Sequence, residues 1–238
     1  MKKIFIYFSL ITFLFVGCQQ QEQVQPSTDI LTKEKQAALT PDQVIAELKA
    51  GNERFLSGEM TLQDNNSKLL ATSKGQYPKA VILSCVDSRV PVETIFDEGI
   101  GDIFVGRVAG NIEDEDMLGS IEYGTAVAGS KLVLVLGHSQ CGAVKGAVDI
   151  ESVSKYGMEN LNSLLTNIAP AVDSVLMEGE ERTSKNHELV DRAVEKNVLL
   201  TMKRMREKSP TLANLEAEGK IKIVGAVYDL STGQVNWL

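Results

Sequence analysis

Four short stretches of the chain consist almost entirely of apolar residues, without the polar positions that alternate along a half-exposed strand. They cover residues 80–84, 103–105, 132–136 and 221–227. A strand with one face in water alternates apolar and polar residues, whereas a short unbroken apolar run is typical of a strand buried on both faces. The pattern therefore predicts four internal strands.

Helical patterns lie before and between these strands. Thr40 supplies an N-cap and Pro41 a first-turn proline for one helix. Apolar residues then recur at helical spacing over 117–128, 143–148 and 188–206, and residues 235–238 follow a turn as a further short strand. The predicted fold class is α/β, with a central, mainly parallel four-stranded sheet and an added edge strand, flanked by helices.

The first residues form a separate unit. Lys2 and Lys3 precede an apolar run over 4–16, which is too short for a transmembrane helix and is typical of a secretory signal. The run ends at Gly17 and Cys18 and resembles a bacterial lipoprotein signal, in which the cysteine is acylated; the alternative is a plain signal peptide with an incidental Cys18. We expect a signal peptide over 1–17, a flexible tether over 18–36 and one folded domain over 37–238. The protein is then exported and lipid-anchored, either periplasmic or facing the outer membrane.

Composition narrows the range of partners. The chain has 238 residues, 43% of them hydrophobic, which is enough for a substantial core. Its formal net charge is −8, and no basic cluster stands out along the sequence. Nucleic acids and anionic surfaces bind to positive faces, so we expect no nucleic-acid partner. Small neutral or weakly anionic substrates remain open.

Residues with metal-binding chemistry come directly after two of the predicted strands. Cys85 follows the first strand, and His138 and Cys141 follow the third. Ligands of parallel α/β sheets collect beyond the carboxyl ends of the strands, so these side chains should meet there. Two thiolates and one imidazole suit Zn²⁺ and leave a fourth position open for water, which favours a catalytic site.

Simpler interpretations of these residues stay open at this point. Cys85 and Cys141 could form a disulfide, which an exported protein permits, or could be two inert buried cysteines, and His138 could cap a helix. Each interpretation accounts for part of the set. None explains why Asp87 and Arg89 accompany Cys85.

Two segments carry a family resemblance: SCVDSRVP at 84–91 and GHSQCGA at 137–143. They resemble the two signature segments of the β-class carbonic anhydrases, and the likeness extends through 51–55, 101–107 and 225–230. The resemblance implies one Zn²⁺ per chain, bound by Cys85, His138 and Cys141. It also implies reversible hydration of carbon dioxide to bicarbonate and a proton, in a homodimer or a higher homo-oligomer.

The same resemblance implies roles for residues near the metal. Asp87 and Arg89 lie two apart on what we predict to be extended chain, so both can project to one side. In the family, the arginine holds the aspartate away from the metal, and the aspartate accepts a hydrogen bond from the nucleophilic water. Gln76 and the backbone N–H of Gly142 correspond to donors toward substrate oxygen.

Further positions correspond to the substrate pocket and to a family subgroup. Phe104 and Tyr123 match residues that line a small apolar CO2 pocket across a subunit interface. Ile82 stands where a bacterial subgroup has a tryptophan that helps to build an inhibitory bicarbonate pocket, which places the chain nearer the plant-like branch. His187, among polar residues before a helix, is predicted to be a surface residue rather than a proton shuttle.

Other functions remain compatible with the sequence. The same zinc could hydrolyse a related small molecule such as CS2 or COS. A zinc-binding scaffold without catalysis is a second alternative, although Asp87 and Arg89 are both retained. A disulfide-bonded export domain without metal is the third.

Overall fold

The computed structural model describes residues 25–238, and within them a five-stranded sheet forms the centre of the molecule. The strand order is β2-β1-β3-β4-β5; the first four strands are parallel, and β5 runs antiparallel to β4. The four predicted parallel strands and the added antiparallel strand are confirmed. The expectation that all four are internal is wrong for β2, which lies at the outer edge of the sheet and is only partly buried, because no strand pairs with it on that side among residues 25–238. Their bounds are β1 (Ala80–Ser84), β2 (Ile103–Arg107), β3 (Leu132–His138), β4 (Lys222–Tyr228) and β5 (Val235–Trp237).

Helices cover both faces of this sheet. The predicted helix over 117–128 is α-helical only to Glu122 and continues as a π-helical turn, Tyr123–Val127. Short 3₁₀ turns occur at Ala109–Asn111 and Ser154–Tyr156. The α-helices are α1 (Lys33–Ala38), α2 (Pro41–Ser57), α3 (Asn65–Thr72), α4 (Val92–Ile95), α5 (Glu115–Glu122), α6 (Gly142–Val148), α7 (Ile150–Val153), α8 (Glu159–Asp173), α9 (His187–Lys208) and α10 (Pro210–Ala217).

The two central strands are buried throughout, as their unbroken apolar sequences predict. Every residue of β1 and of β3 is buried. Alternate side chains point to opposite faces. Ile82 and Leu134 therefore pack in a cluster with α2 and α4, while Val81 and Val133 pack in another with α5, α9 and α10. The sheet is a middle layer between two helical layers.

A third apolar cluster lies at the carboxyl edge of the sheet. It contains Cys85 and Cys141 together with apolar side chains of α6, α8 and α9. Helix α8, which the sequence patterns did not predict, contributes Leu165 and Ile168, both fully buried. The loops that carry the candidate metal ligands therefore rest on a packed base, which holds their side chains in fixed positions.

Part of the segment predicted as a tether is folded. Residues 33–36 lie in α1, which Thr32 caps, and the side chain of Gln36 is buried. Its amide donates hydrogen bonds to the carbonyls of Pro78 at 2.8 Å and Ala128 at 2.9 Å. These two bonds satisfy backbone groups next to the sheet, which is why the chain is ordered here despite its polar sequence. The predicted signal peptide and Cys18 lie outside the described residues.

Within residues 25–238, none of the helices combines the length and the hydrophobicity needed to cross a lipid bilayer.

Candidate metal centre

Three side chains meet at the carboxyl edge of the sheet. Cys85 directly follows β1, His138 is the last residue of β3, and Cys141 is the N-cap of α6. Because β1 and β3 are neighbouring parallel strands, their ends bring residues 53 positions apart together. One ligand atom from each side chain lies within 4.8 Å of the other two, and all three residues are buried.

The two cysteines are free thiols in the structure, so the disulfide alternative is not supported. The imidazole of His138 is oriented for metal binding. Its Nδ1 lies 2.9 Å from the carbonyl oxygen of Ser139, to which it donates when protonated. The other nitrogen, Nε2, is buried and has no hydrogen-bond partner among the described residues. A metal-binding histidine has this arrangement, because a bond at one nitrogen fixes the tautomer that exposes the lone pair of the other.

The two thiols lie together and shift each other's pKa in opposite directions. The pKa of Cys85 is lowered, mainly because the Cys141 thiol donates to it, and the backbone N–H of Gly110 also donates to its sulfur. The same pairing, with burial, raises the pKa of Cys141. A divalent cation bound here would displace the thiol proton and stabilise both thiolates. Two sulfurs and one unpartnered imidazole nitrogen form a donor set that fits Zn²⁺.

Asp87 and Arg89 form a forked ion pair beside the ligands. Arg89 Nε lies 2.9 Å from Asp87 Oδ1, and Nη2 lies 2.7 Å from Oδ2. This pairing is the main reason that the pKa of Asp87 is held well below its usual range. Asp87 Oδ2 is also 3.8 Å from Nε2 of His138. A carboxylate whose ionised form is favoured therefore faces the position where the metal would bind.

The chain between Asp87 and Val90 is a turn, and the expectation of extended chain is wrong. The backbone N–H of Val90 donates to the carbonyl of Asp87 at 3.1 Å, and the backbone N–H of Arg89 donates to Asp87 Oδ1 at 3.0 Å. An aspartate that accepts from the backbone two residues later closes an Asx turn. The two side chains meet because the chain folds back at Asp87.

Arg107 holds this turn and was not singled out as a site residue from the sequence. Its guanidinium donates to the carbonyls of Cys85 and Asp87, both at 3.3 Å, and to that of Val90. As the last residue of β2, it reaches across from the strand that pairs with β1. Its place in the family-like stretch 101–107 was the only signal in the sequence.

The predicted substrate-binding residues separate into two groups. Gly142 begins α6 directly after the ligand Cys141. Phe104 pairs with Val81 in the sheet, four residues before Cys85 along β1, a distance of about 13 Å at about 3.3 Å per residue. Tyr123 packs against Phe104 with ring centroids 6.2 Å apart. Gln76 is exposed and precedes β1 at the opposite end of that strand from Cys85. Within one chain, Phe104, Tyr123 and Gln76 therefore lie away from the metal ligands.

A closed structural zinc site has four protein ligands, whereas this site has three and therefore leaves one coordination position open. Such a site at the carboxyl edge of a parallel sheet makes this protein an α/β metalloenzyme with the donor set of a catalytic zinc centre. Comparison with known proteins narrows the class. A family model described as carbonic anhydrase matches residues 80–235. The chain belongs to the carbonic anhydrase family, in its β class.

Individual relatives agree with this membership. Carbonic anhydrase 2 of Mycobacterium tuberculosis is 38% identical over 191 residues, which cover 79% of this chain and 87% of that protein. A carbonic anhydrase of Mycolicibacterium smegmatis is 34% identical over 79% of this chain and 88% of its own length. The solved structure of a β-carbonic anhydrase from Aspergillus fumigatus matches with a TM-score of 0.62 and 25% identity, over 83% of this chain and 89% of that one. The protein is thus a zinc enzyme that hydrates carbon dioxide to bicarbonate and a proton.

Proposed function

We propose that Asp87 and Arg89 are the residues that make this zinc site catalytic. Cys85, His138 and Cys141 would hold the zinc, which would supply an acidified water as the nucleophile for CO2 at neutral pH. The ionised Asp87 then accepts a hydrogen bond from the attacking water and orients its lone pair toward the carbon of CO2. The backbone N–H of Gly142 has no acceptor within its helix and is available to the developing negative charge on the substrate oxygen.

Arg89 is proposed to keep Asp87 in that role. A carboxylate this close to a zinc site can itself become the fourth ligand and block the open position. The forked pair, with contacts of 2.9 and 2.7 Å, engages both carboxylate oxygens and so opposes that movement. The Asp87–Arg89 pair beside a three-ligand site is the single observation that carries the catalytic proposal over a zinc scaffold.

The complete active site is proposed to need a second copy of the chain. Phe104 and Tyr123 border a cavity of about 530 Å³ at the surface, next to β2. Strand β2 ends the sheet on this side, and its outer edge has no strand partner among residues 25–238. A partner subunit seated there would cover this surface and bring its own metal ligands near these side chains and Gln76. A related β-carbonic anhydrase from Sordaria macrospora, 24% identical, is tetrameric.

We propose that this enzyme resembles the plant-like branch of the family in its response to bicarbonate. Ile82 is fully buried between apolar side chains in the core beneath α2 and α4. It offers no donor or acceptor to an anion. We therefore propose that bicarbonate does not shut off this enzyme through a pocket at residue 82.

The enzyme is also proposed to be exported and held on a membrane through a lipid on Cys18. Support comes from the two lysines, the short apolar run and the cysteine that ends it. The described chain begins at residue 25, and Ser27 already bridges to Gln63. Only eight residues separate Cys18 from Ser27, so the catalytic domain would stay close to the membrane surface.

The function is tested by stopped-flow CO2 hydration on purified protein of measured zinc content. We expect about one zinc per chain and rapid hydration, and we expect Cys141→Ser to lose both the metal and part of the stability, because binding and folding are coupled. Zinc retained in full by Cys141→Ser would contradict the ligand assignment. Assays with CS2 and COS on the same preparation decide whether either replaces CO2 as the better substrate.

The anchor is tested by replacing its attachment residue. Cys18→Ala should move the protein from the membrane fraction to the soluble fraction or stall its processing, while the specific activity of the catalytic domain stays the same. Labelling with a fatty-acid analogue gives a direct readout. Equal membrane retention and equal labelling in the variant would rule out Cys18.

A further inference from the structure

One metal ligand is contacted by the backbone of the 3₁₀ turn Ala109–Asn111. The N–H of Gly110 donates to Sγ of Cys85, with nitrogen and sulfur 3.4 Å apart, and both residues are buried. A hydrogen bond to a metal-binding thiolate withdraws electron density from the sulfur, which is how the groups around such a ligand tune the metal. The direction of this one N–H therefore bears on the chemistry of the site.

The bond depends on an uncommon backbone conformation. Gly110 has φ +72° and ψ +16°, in the left-handed region that residues with a side chain rarely adopt. A Cβ at this position would lie 2.5 Å from Cδ1 of Ile168 and 3.3 Å from Cβ of Ala143. Glycine thus allows both the turn and the close packing against α8 and α6. Because glycine is also the most flexible residue, a further contact is needed to fix its N–H on the sulfur.

Asn197 of helix α9 supplies that contact. Its Nδ2 donates to the carbonyl oxygen of Gly110 at 2.7 Å, across 87 positions of sequence. The residue is 1% exposed, and its neighbours Val194 and Val198 on the same helix are buried apolar residues. A buried amide costs free energy unless it is hydrogen-bonded, so the bond to Gly110 accounts for an asparagine here. The carbonyl and the N–H of Gly110 flank one Cα, so anchoring the first restricts the second.

We propose that Asn197 is a positioning residue for CO2 hydration, which acts through Gly110 on the sulfur of Cys85. Asn197 touches no metal ligand itself; it fixes the turn whose N–H binds the sulfur. Two thiolates cancel the two positive charges of Zn²⁺, which weakens the acidification of water on which the reaction depends. A hydrogen bond to one of the sulfurs opposes that weakening. The proposal rests on the zinc site and the hydration activity stated above.

The test removes the amide of Asn197 with little change of volume. Asn197→Leu has no donor for the carbonyl of Gly110, and Asn197→Ala removes the same donor without the branched methyl groups, in case leucine prevents folding. Thr201→Val, one turn further along α9, is the matched control. Thr201 is also fully buried, but its hydroxyl accepts from Arg204 and not from the 109–111 turn.

A spectroscopic readout reports on the sulfur without turnover. The probe is Co²⁺ bound in place of zinc, whose absorption spectrum includes charge transfer from thiolate sulfur to the metal. Loss of the hydrogen bond raises the energy of the sulfur lone pairs, so this band should move to longer wavelength in the Asn197 variants. The band should stay in place in Thr201→Val. A role of Asn197 in stability alone would not move it.

Metal affinity and kinetics connect the bond to function. Competition with a chelator should show zinc affinity reduced by about tenfold in Asn197→Leu, the lower end of the effect expected for a group that supports a metal ligand. With zinc saturating, kcat/KM for CO2 at neutral pH should also fall by about tenfold. Thr201→Val should match the wild type in both measurements.

The outcomes separate the proposal from the function itself. An unmoved cobalt band in the Asn197 variants would overturn it, even if stability or activity fell, because Asn197 would then be structural. The same shift in Thr201→Val, or a shifted band with wild-type zinc affinity and kcat/KM, would also overturn it. A wild-type protein that binds neither metal would contradict the ligand assignment instead, and one that binds zinc without hydrating CO2 would contradict the enzymatic function.

Discussion

At the scale of single residues, the metal centre depends on its ligands and equally on hydrogen bonds that fix the orientation of the side chains around them. Arg89 binds both oxygens of Asp87, which favours the ionised carboxylate and fixes its orientation. Arg107, from the neighbouring strand β2, donates to the carbonyl of Asp87 and holds the turn that carries Asp87 and Arg89. His138 presents Nε2 because Ser139 engages Nδ1. These interactions position the groups before any substrate arrives, which is the arrangement that catalysis by orientation requires.

Asp87→Asn tests the role of the carboxylate. The amide has the same shape but lacks the charge that binds Arg89 and orients the nucleophile. CO2 hydration should fall by roughly 10²-fold, the loss expected for a positioned catalytic group, while the zinc content stays unchanged. Stopped-flow rates and metal analysis on one preparation measure both quantities. Asp42→Asn, at an exposed aspartate in the first turn of α2, is the control. A wild-type rate in Asp87→Asn would assign Asp87 a structural role.

Glu98 gives the molecule a pH-dependent stability that is separate from catalysis. Burial raises the pKa of this carboxyl to about 7, against an ordinary value of 4.5, and the neighbouring Asp102 and Glu47 reinforce the shift. Lys79 lies 2.9 Å away and offsets it only in part. Between pH 4.5 and 7 the folded protein therefore holds a proton that the unfolded chain has released. Stability from this group is full below that range and declines as pH rises through it.

Glu98→Gln should remove this dependence, because glutamine resembles the protonated carboxyl at every pH. The free energy of unfolding of the variant relative to the wild type should rise by up to about 3 kcal/mol between pH 4.5 and 7. Urea unfolding across this range measures the difference, which also cancels effects common to both proteins, such as metal release. Glu53→Gln, at an exposed position on α2, should show a flat difference. A flat difference for Glu98→Gln as well would contradict the raised pKa.

At the scale of elements, helix α2 is fixed to the sheet by a close backbone approach. Its residue Gly51 lies against Phe96, which directly follows α4, and a Cβ at Gly51 would come within 1.9 Å of the carbonyl oxygen of Phe96. The next residue, Asn52, donates to the carbonyls of Ile95 and Gly233 and accepts from the backbone of Val235. One turn of α2 thus ties together α4, the turn before β5 and β5 itself.

Gly51→Ala should separate α2 from α4. The clashing atom belongs to the backbone and cannot rotate away, so we expect a loss of about 1–3 kcal/mol in unfolding free energy, the usual cost of overpacking. Gly119→Ala in α5 is the control, because its Cβ would meet no heavy atom within 4 Å, and alanine there should be neutral or slightly stabilising. Urea unfolding of both variants provides the comparison. Equal stability of the two variants would show that α2 can move at no cost.

At the scale of the whole molecule, residues 25–238 leave large apolar side chains exposed on one face. Tyr123 is 55% exposed and Val127, in the same π-helical turn, is 73% exposed. Tyr123 packs against Phe104 of β2, and the outer edge of β2 has no strand partner among residues 25–238. Tight association of two chains through this face would bury it and complete each active site with residues of the other chain.

Val127→Lys should disrupt this association. A lysine in an apolar interface leaves a charge without a partner, so the protein should sediment as a monomer, and kcat/KM should fall by roughly tenfold or more because the pocket residues are no longer positioned. The zinc content should remain that of the wild type, since the ligands belong to one chain. Met177→Lys, at an exposed methionine after α8, is the control. An active monomer would mean that each chain completes its own site.

The sequence determined the sheet and the metal ligands. Strands β1 and β3 follow from their own composition, because unbroken apolar runs are typical of strands buried on both faces, and this predicts a mainly parallel sheet as the middle layer. Cys85, His138 and Cys141 follow from their place at strand ends, since parallel strands end at one edge. These properties depend on contiguous residues and on one topological rule, so a reader of the chain can derive them.

The tertiary structure decided what depends on contacts between distant segments. The folding of residues 33–36 depends on carbonyls more than 40 positions away, and the Asp87 turn depends on Arg107 from another strand. Likewise, only the strand register shows that Phe104 lies at the other end of β1 from Cys85, beyond the reach of its own metal ligands.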